Sequence, residues 1–280
     1  MLEHSVCAGA GRQALTENKI SAPAAPALLP WWPSPGSARA ESSLIPEPRG
    51  RDLNHSTQPA ATFDAAIVDL DGTMVDTSGD FEAALGLALA DLGQPPVSRA
   101  FILRTIGKGS EHLIAQVLRE VGAPASLYDQ AWARYQHHYL AINGRHSALY
   151  PGVMEGLKAL SQAGLRMACL TNKPTAFARP LLAQKGIGGY FEHAFGGDAF
   201  ARKKPDPLPL LETCKALGTA PQRTLMVGDS SNDAAAACAA GCPVVLVNYG
   251  YNHGQPVSNA GPDAIIDRLD ELPALLISRP

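Results

Sequence analysis

Asp69 and Asp71, one residue apart at the end of an apolar run, form the first pair in this 280-residue chain whose types and spacing could do chemistry. Ala65, Ala66, Ile67 and Val68 ahead of them read as a short, fully buried strand. Alternation along a strand turns both carboxylates to one side and Leu70 to the other, and Gly72 lets the backbone turn sharply. Two unpaired carboxylates would be costly to bury as packing. At the carboxyl end of a parallel strand, where ligands bind, they are oxygen donors suited to a hard cation such as magnesium. Taken alone, Asp-Leu-Asp-Gly is equally a turn or a helix-capping sequence. Three later clusters decide between these readings. They are Thr171-Asn172, Lys204 within Lys203-Lys204-Pro205-Asp206-Pro207, and Asp229 with Asp233 in Gly228-Asp229-Ser230-Ser231-Asn232-Asp233. Each singly could be a turn or a cap. In this order, at strand ends or adjoining loops, they supply a hydroxyl donor, a lysine and carboxylates for a cation. A phosphoryl group needs those partners around it.

The elements that must position these groups follow from periodicity and punctuation. After the opening strand, Phe81, Ala84, Leu85, Ala88, Leu89 and Leu92 keep the spacing of one apolar helix face. Gly93 and Pro95-Pro96 end that helix, and Ser98 is expected to cap the next. Ser110 is expected to cap a third, with Glu111 in its first turn and Gly122 past its end. Ser126 with Asp129 resembles a capping box opening a fourth, which runs to Asn143-Gly144. Residues 79–146 thus predict a small helical bundle inserted into the main domain. From Pro151 helix and strand alternate: a helix from Val153, a strand over Leu165 to Leu170, and a helix from Pro174. A short strand at 192–195, a helix over Leu208 to Leu217 and a strand from Thr224 come next. An Ala-rich helix stopped by Gly241 and a strand over Pro243 to Val247 complete the series. The expected fold is α/β, a doubly wound, Rossmann-like parallel sheet over 62–78 and 147–280 that carries the helical cap. Its strand ends share one edge, so distant clusters can converge there.

Composition bounds the rest. A hydrophobic fraction of 46% fits a full globular core, and a formal net charge of -3 gives no electrostatic case for nucleic acid or an anionic membrane. No apolar run reaches the roughly 18 residues of a membrane span. The five cysteines lack metal-site spacing and read as small buried hydrophobes in a reducing compartment, so the cytosol is the expected location. Residues 1–61, rich in Pro, Ala, Gly and Ser and without Phe or Tyr, predict a disordered or wrongly assigned N-terminal tail. No methionine follows Met1 until Met74, so an internal methionine start would delete both aspartates. His137, His138 and His146 fall in the cap. Only His253, in a Gly-rich loop, comes near the expected active edge, and a structural role is expected for it. Nothing in the sequence speaks to oligomeric state.

The four clusters resemble the four motifs of the haloacid dehalogenase superfamily: Asp-X-Asp-Gly-Thr, a strand-end Ser/Thr, Lys-Pro and Gly-Asp-Ser-X-X-Asp. The likeness runs from residue 65 to about 270 and leaves out the N-terminal extension. Finer likeness is to bacterial phosphoglycolate phosphatases, in Asp71-Gly72-Thr73-Met74-Val75-Asp76, Thr171-Asn172-Lys173-Pro174, Gly196-Gly197-Asp198, Arg202 to Pro207, and Tyr249-Gly250-Tyr251-Asn252-His253-Gly254. The resemblance implies Asp69 as nucleophile, forming an aspartyl-phosphate, and Asp71 as general acid and base. It implies Mg2+ on the Asp69 carboxylate, the Asp71 backbone carbonyl and Asp229. Thr171 and the Asn172 amide would hold phosphoryl oxygens, Lys204 would neutralise them, and Asp233 would orient Lys204. An acid two positions after the nucleophile implies hydrolysis, since relatives that store the phosphoenzyme place Thr there. The long stretch between Asp69 and Thr171 is where this superfamily carries its cap, which implies a small soluble phosphate ester. Arg104 or Lys108 is expected to read the carboxylate of 2-phosphoglycolate. Rival readings are a phosphatase for a sugar phosphate such as N-acetylmuramic acid 6-phosphate, a β-phosphoglucomutase-like enzyme, and a non-catalytic phosphate-binding module.

Overall fold

The computed structural model describes residues 63–277; the expected tail over 1–61, with Cys7, lies outside them. Strand β1 (Ala65–Val68) leads through a two-residue strand β2 (Val75–Asp76) into helices α1 (Ser78–Asp91), α2 (Arg99–Thr105), α3 (Ser110–Glu120) and α4 (Tyr128–Ile142). Strand β3 (Ala148–Leu149) returns antiparallel to β2. Alternation then begins with α5 (Val153–Gln162), β4 (Arg166–Leu170), α6 (Thr175–Gln184), β5 (His193–Phe195) and α7 (Leu208–Leu217). It continues with β6 (Thr224–Gly228), α8 (Ser231–Ala240), β7 (Val244–Val247), β8 (Ala264–Ile266) and α9 (Leu272–Ile277).

Among the described residues the main sheet has six parallel strands in the order β5-β4-β1-β6-β7-β8. Strand β1 is central, and all four of its side chains are wholly buried. Both faces of such a strand are covered by helices, so its residues are apolar without alternation. Ala66 and Val68 join a core with Leu157, Leu160 and Leu181, while Ala65 and Ile67 join one with Leu210, Leu217 and Ala237 on the opposite face. The expected α/β fold with an inserted helical bundle is the observed one.

Helices α1–α4 bury a third apolar cluster, in which Phe81, Ala84, Leu85, Ala88 and Leu89 line α1 as their spacing predicts. Phe177 and Tyr251 reach into it from the sheet domain. The base of the insertion is tied by Asp80, whose buried carboxylate accepts the Gly144 N–H at 2.8 Å and the His146 N–H at 2.7 Å. The β2–β3 ribbon beside it is too short for periodicity to reveal. The same is true of β8, which the sequence reading did not anticipate.

Two caps differ from expectation. Ser98 does cap α2, accepting the Phe101 N–H at 3.2 Å. Gly109 rather than Ser110 precedes α3, because φ of 88° there needs a glycine; Ser110 becomes the first helical residue and is buried. Ser126 lies in a 3-10 turn over Ala125–Leu127 that runs straight into α4, so no capping box forms. Cys169, Cys214 and Cys242 are buried as expected, but Cys238 is exposed, on the outward side of α8. Among the described residues no helix is long and apolar enough to cross a membrane.

Candidate active site

Register places the chemistry. Val68 pairs with Cys169 on one side and Val227 on the other, so Asp69, Thr171 and Asp229 leave the sheet together at one edge. Asp69 extends β1, its N–H donating to the Val227 carbonyl at 2.9 Å. Lys204 lies against it, with Nζ at 3.1 Å from Asp69 Oδ1 and 2.7 Å from Asp233 Oδ1, and donates also to the Leu170 carbonyl at 2.9 Å. Asn172 holds the lysine's backbone from both sides: its Oδ1 accepts the Lys204 N–H at 3.0 Å and its Nδ2 donates to the Lys204 carbonyl at 2.8 Å. Asp233 does two jobs. Its Oδ2 accepts the Ser230 hydroxyl at 2.8 Å and the Ser230 N–H at 3.2 Å, forming a capping box on α8, while Oδ1 aims the lysine.

The electrostatics are those of a crowded, dry cluster. Burial pushes the Asp69 carboxyl up to about 7 against the pull of Lys204, with Asp233 adding to the rise. Burial, Asp233 and Asp69 push Asp229 well above the usual carboxylate range. Burial alone would lower the Lys204 ammonium, but Asp233 and Asp69 outweigh it and its pKa rises. Removing the lysine would leave Asp69 and Asp233 buried without their counter-ion. Lys204→Met is therefore expected to destabilise the fold by about 3–5 kcal/mol. Urea unfolding followed by circular dichroism, with chelator present, would measure that loss; a change under about 1 kcal/mol would contradict the pairing.

Carboxylate oxygens of Asp69, Asp229 and Asp233 lie within 4.8 Å of one another. Three carboxylates face one ammonium here, and a divalent cation would cancel the excess; an all-oxygen donor set suits a hard one. The cluster is also closely walled. Asp229 accepts the Thr73 hydroxyl at 3.2 Å and the Tyr251 N–H at 2.6 Å. A Cβ on Gly72 would stand 2.2 Å from Asp229 Oδ2, and φ there is 84°, so this turn both requires glycine and brings the chain after Asp71 against Asp229.

Asp71 lines one pocket together with Asp69, as their alternation predicts, but is paired outside the Lys204 cluster. Its carboxylate accepts the Lys173 ammonium at 3.0 Å and the Thr77 hydroxyl at 2.8 Å. Lys173, buried, also donates to the Tyr139 hydroxyl at 2.5 Å and lies 4.7 Å from the centre of the Phe81 ring and 4.6 Å from that of Tyr139. Phe81 and Tyr139 belong to the insertion. Asp69, Asp71, Thr171 and Asn172 form the sheet-domain wall of a pocket closed from above by Phe81 and the loop from Ile106 to Ser110.

Arg104 and Lys108, the expected carboxylate readers, do not line that pocket. Gly107 and Gly109, with φ of 106° and 88°, turn the loop so that its backbone faces the sheet domain. The Gly107 carbonyl accepts Nδ2 of Asn172 at 3.0 Å and of Asn232 at 3.2 Å, and Lys108 between the glycines is exposed. Arg104 is exposed on α2, packs over Gly254 and borders a separate cleft. His253 touches the Arg104 carbonyl and Asn232, each at 3.3 Å, and so joins the two parts of the fold. Lys173 was not singled out from the sequence. Its position two residues past the strand-end Thr171 was the available signal.

A six-stranded parallel sheet with a helical insertion and an aspartate-lined edge agrees with the family comparison. Residues 63–241 match the haloacid dehalogenase-like hydrolases, and the chain belongs to that family; it is an enzyme of the hydrolase class. Within the family it is 44% identical over 218 residues to the phosphoglycolate phosphatase of Thiobacillus denitrificans, covering 77% of this chain and 96% of that one. It is 39% identical over 213 residues to the phosphoglycolate phosphatase of Nitrosococcus oceani, covering 75% and 95%. A solved structure, described as a "predicted phosphoglycolate phosphatase" from Haemophilus somnus, superposes with a TM-score of 0.73 at 32% identity. That match spans 76% of this chain and 98% of the other.

Proposed function

We propose that this hydrolase converts 2-phosphoglycolate to glycolate and phosphate, with magnesium as cofactor and a cytosolic location. The observation that carries the reading is the convergence of Asp69, Lys204 and Asp229 in one buried cluster, beside a pocket walled by Asp71, Thr171 and Asn172. Asp69 attacks phosphorus; the Asp69–phosphorus bond forms as the bond to the leaving oxygen breaks. Asp71 gives that oxygen its proton. Water then attacks phosphorus, Asp71 takes a proton from it, and Asp69 is released. Thr171, whose hydroxyl oxygen accepts the Lys173 N–H at 3.2 Å, and the Asn172 N–H hold phosphoryl oxygens while Lys204, kept in place by Asp233, balances their charge. Magnesium would be held by the Asp69 and Asp229 carboxylates and the Asp71 carbonyl, and supplies positive charge to the phosphoryl oxygens when bound.

The helical insertion acts as a cap that excludes water from the reacting groups. The phosphoglycolate phosphatases at 44% and 39% identity support the same substrate. Phosphate release from a panel of small esters, with and without chelator, tests the reading. With magnesium, kcat/KM for 2-phosphoglycolate should exceed that for N-acetylmuramic acid 6-phosphate by at least about tenfold. Faster release from the sugar ester would overturn the substrate. Isomerised sugar phosphate without free phosphate would make the enzyme a mutase, and no release from any ester would leave a binding module.

A further inference from the structure

We propose that Lys173 reads a carboxylate on the leaving group and, in accepting it, lets go of Asp71. The inference deepens the phosphatase reading above and rests on it. Among the described residues lining the pocket, Lys173 is the only one with a positive charge. Arg104 and Lys108 lie outside, and the three donors of Lys204 are already spent on Asp69, Asp233 and the Leu170 carbonyl. Any anionic group carried by the leaving fragment therefore meets Lys173 or no cationic side chain of the pocket lining.

The surroundings of Lys173 explain how one ammonium can serve two anions in turn. Its side chain is 1% exposed, so water cannot compensate its charge. The rings of Phe81 and Tyr139 attract the cation without neutralising it. Asp71 is its counter-ion, with Oδ1 at 3.0 Å and Oδ2 at 3.3 Å. To protonate the leaving oxygen, the Asp71 carboxyl must turn from Lys173 to the ester. That turn would leave a buried ammonium unpaired, which is costly. A substrate bearing a carboxylate one carbon from its ester oxygen brings the replacement counter-ion; a neutral substrate does not. Selectivity and delivery of the acid are thus one event. Because Phe81 and Tyr139 come from the insertion, the cage around Lys173 is complete only when the cap is seated.

The test compares 2-phosphoglycolate with its amide, phosphoglycolamide, which has the same size and no charge on the leaving group. Full-length enzyme with magnesium should favour the acid by about 10- to 100-fold in kcat/KM, the range of a hydrogen bond to a charged group. In Lys173→Met that ratio should fall to about one, and Lys173→Arg should keep part of it. Lys173→Gln gives the same comparison if the Met variant does not fold, as judged by circular dichroism. A Met or Gln variant that lowers both substrates alike and keeps the ratio overturns the proposal and leaves the substrate reading intact. A ratio near one in the unaltered enzyme, by contrast, overturns both this proposal and the preference for a carboxylate, and no turnover of either ester overturns the phosphatase reading itself.

Discussion

Asp69→Asn is expected to lower kcat by at least about 10⁴-fold on every phosphate ester, because an amide cannot form the covalent intermediate. The loss should not reflect unfolding. The Asp69 carboxyl is pushed up to about 7 by burial, so its ionised form is the costly one above that pH, and a neutral amide removes one charge from a crowded group. Unchanged or raised thermal stability without magnesium, alongside lost turnover, is the expected pair of results. Turnover within tenfold of the unaltered enzyme would dismiss Asp69 as nucleophile. Asp71→Asn supplies the contrast. Removing the general acid should cost about 10²–10⁴-fold on an alkyl phosphate. It should cost much less on p-nitrophenyl phosphate, whose leaving oxygen needs no proton. Equal losses on both esters would mean that Asp71 does not deliver the proton.

Removal of magnesium by chelator is expected to stop phosphate release, and restoring the ion to recover it. Charge balance is the reason: Asp69, Asp229 and Asp233 converge on a single ammonium, while the charge of Asp71 is met separately by Lys173. Binding to the folded state alone should also stabilise the protein, by about 2.7 kcal/mol at an ion concentration 100 times Kd. Thermal unfolding with and without magnesium reads this independently of activity. Asp229→Asn should abolish most of the magnesium-dependent rise in Tm. A rise of the same size in that variant would take Asp229 out of the ion's coordination.

Much of the fold was legible in the sequence because its signals are local. The apolar run before Asp69, the helix-face spacing from Phe81 to Leu89, and the glycines at 164 and 241 each act within a few residues of the chain. The four motif clusters were legible for the same reason: three follow strands that their own flanking residues define, and the fourth, around Lys204, is marked by the prolines of its loop. The strands β2, β3 and β8, of two or three residues each, carry no period and have no local signal, whereas β5, equally short, is expected at 192–195 and is found at His193–Phe195. Ser110 and Ser126 showed the limit of capping signals. A glycine one position earlier, or a 3-10 turn leading into the helix, displaces the cap without altering the residue that suggested it.

By its order of residues alone, the chain determined its α/β class, its helical insertion and the types of group that meet at the sheet edge. Which cation lines the pocket was decided only in three dimensions. Lys173 is buried because Phe81 and Tyr139, from two different helices of the insertion, close over it and because Asp71 offers it a counter-ion. Lys108, between two glycines of positive φ, is exposed instead. Burial and pairing of a charge depend on what every other segment brings to it. That is a property of the packed whole, and no window of neighbouring residues contains it.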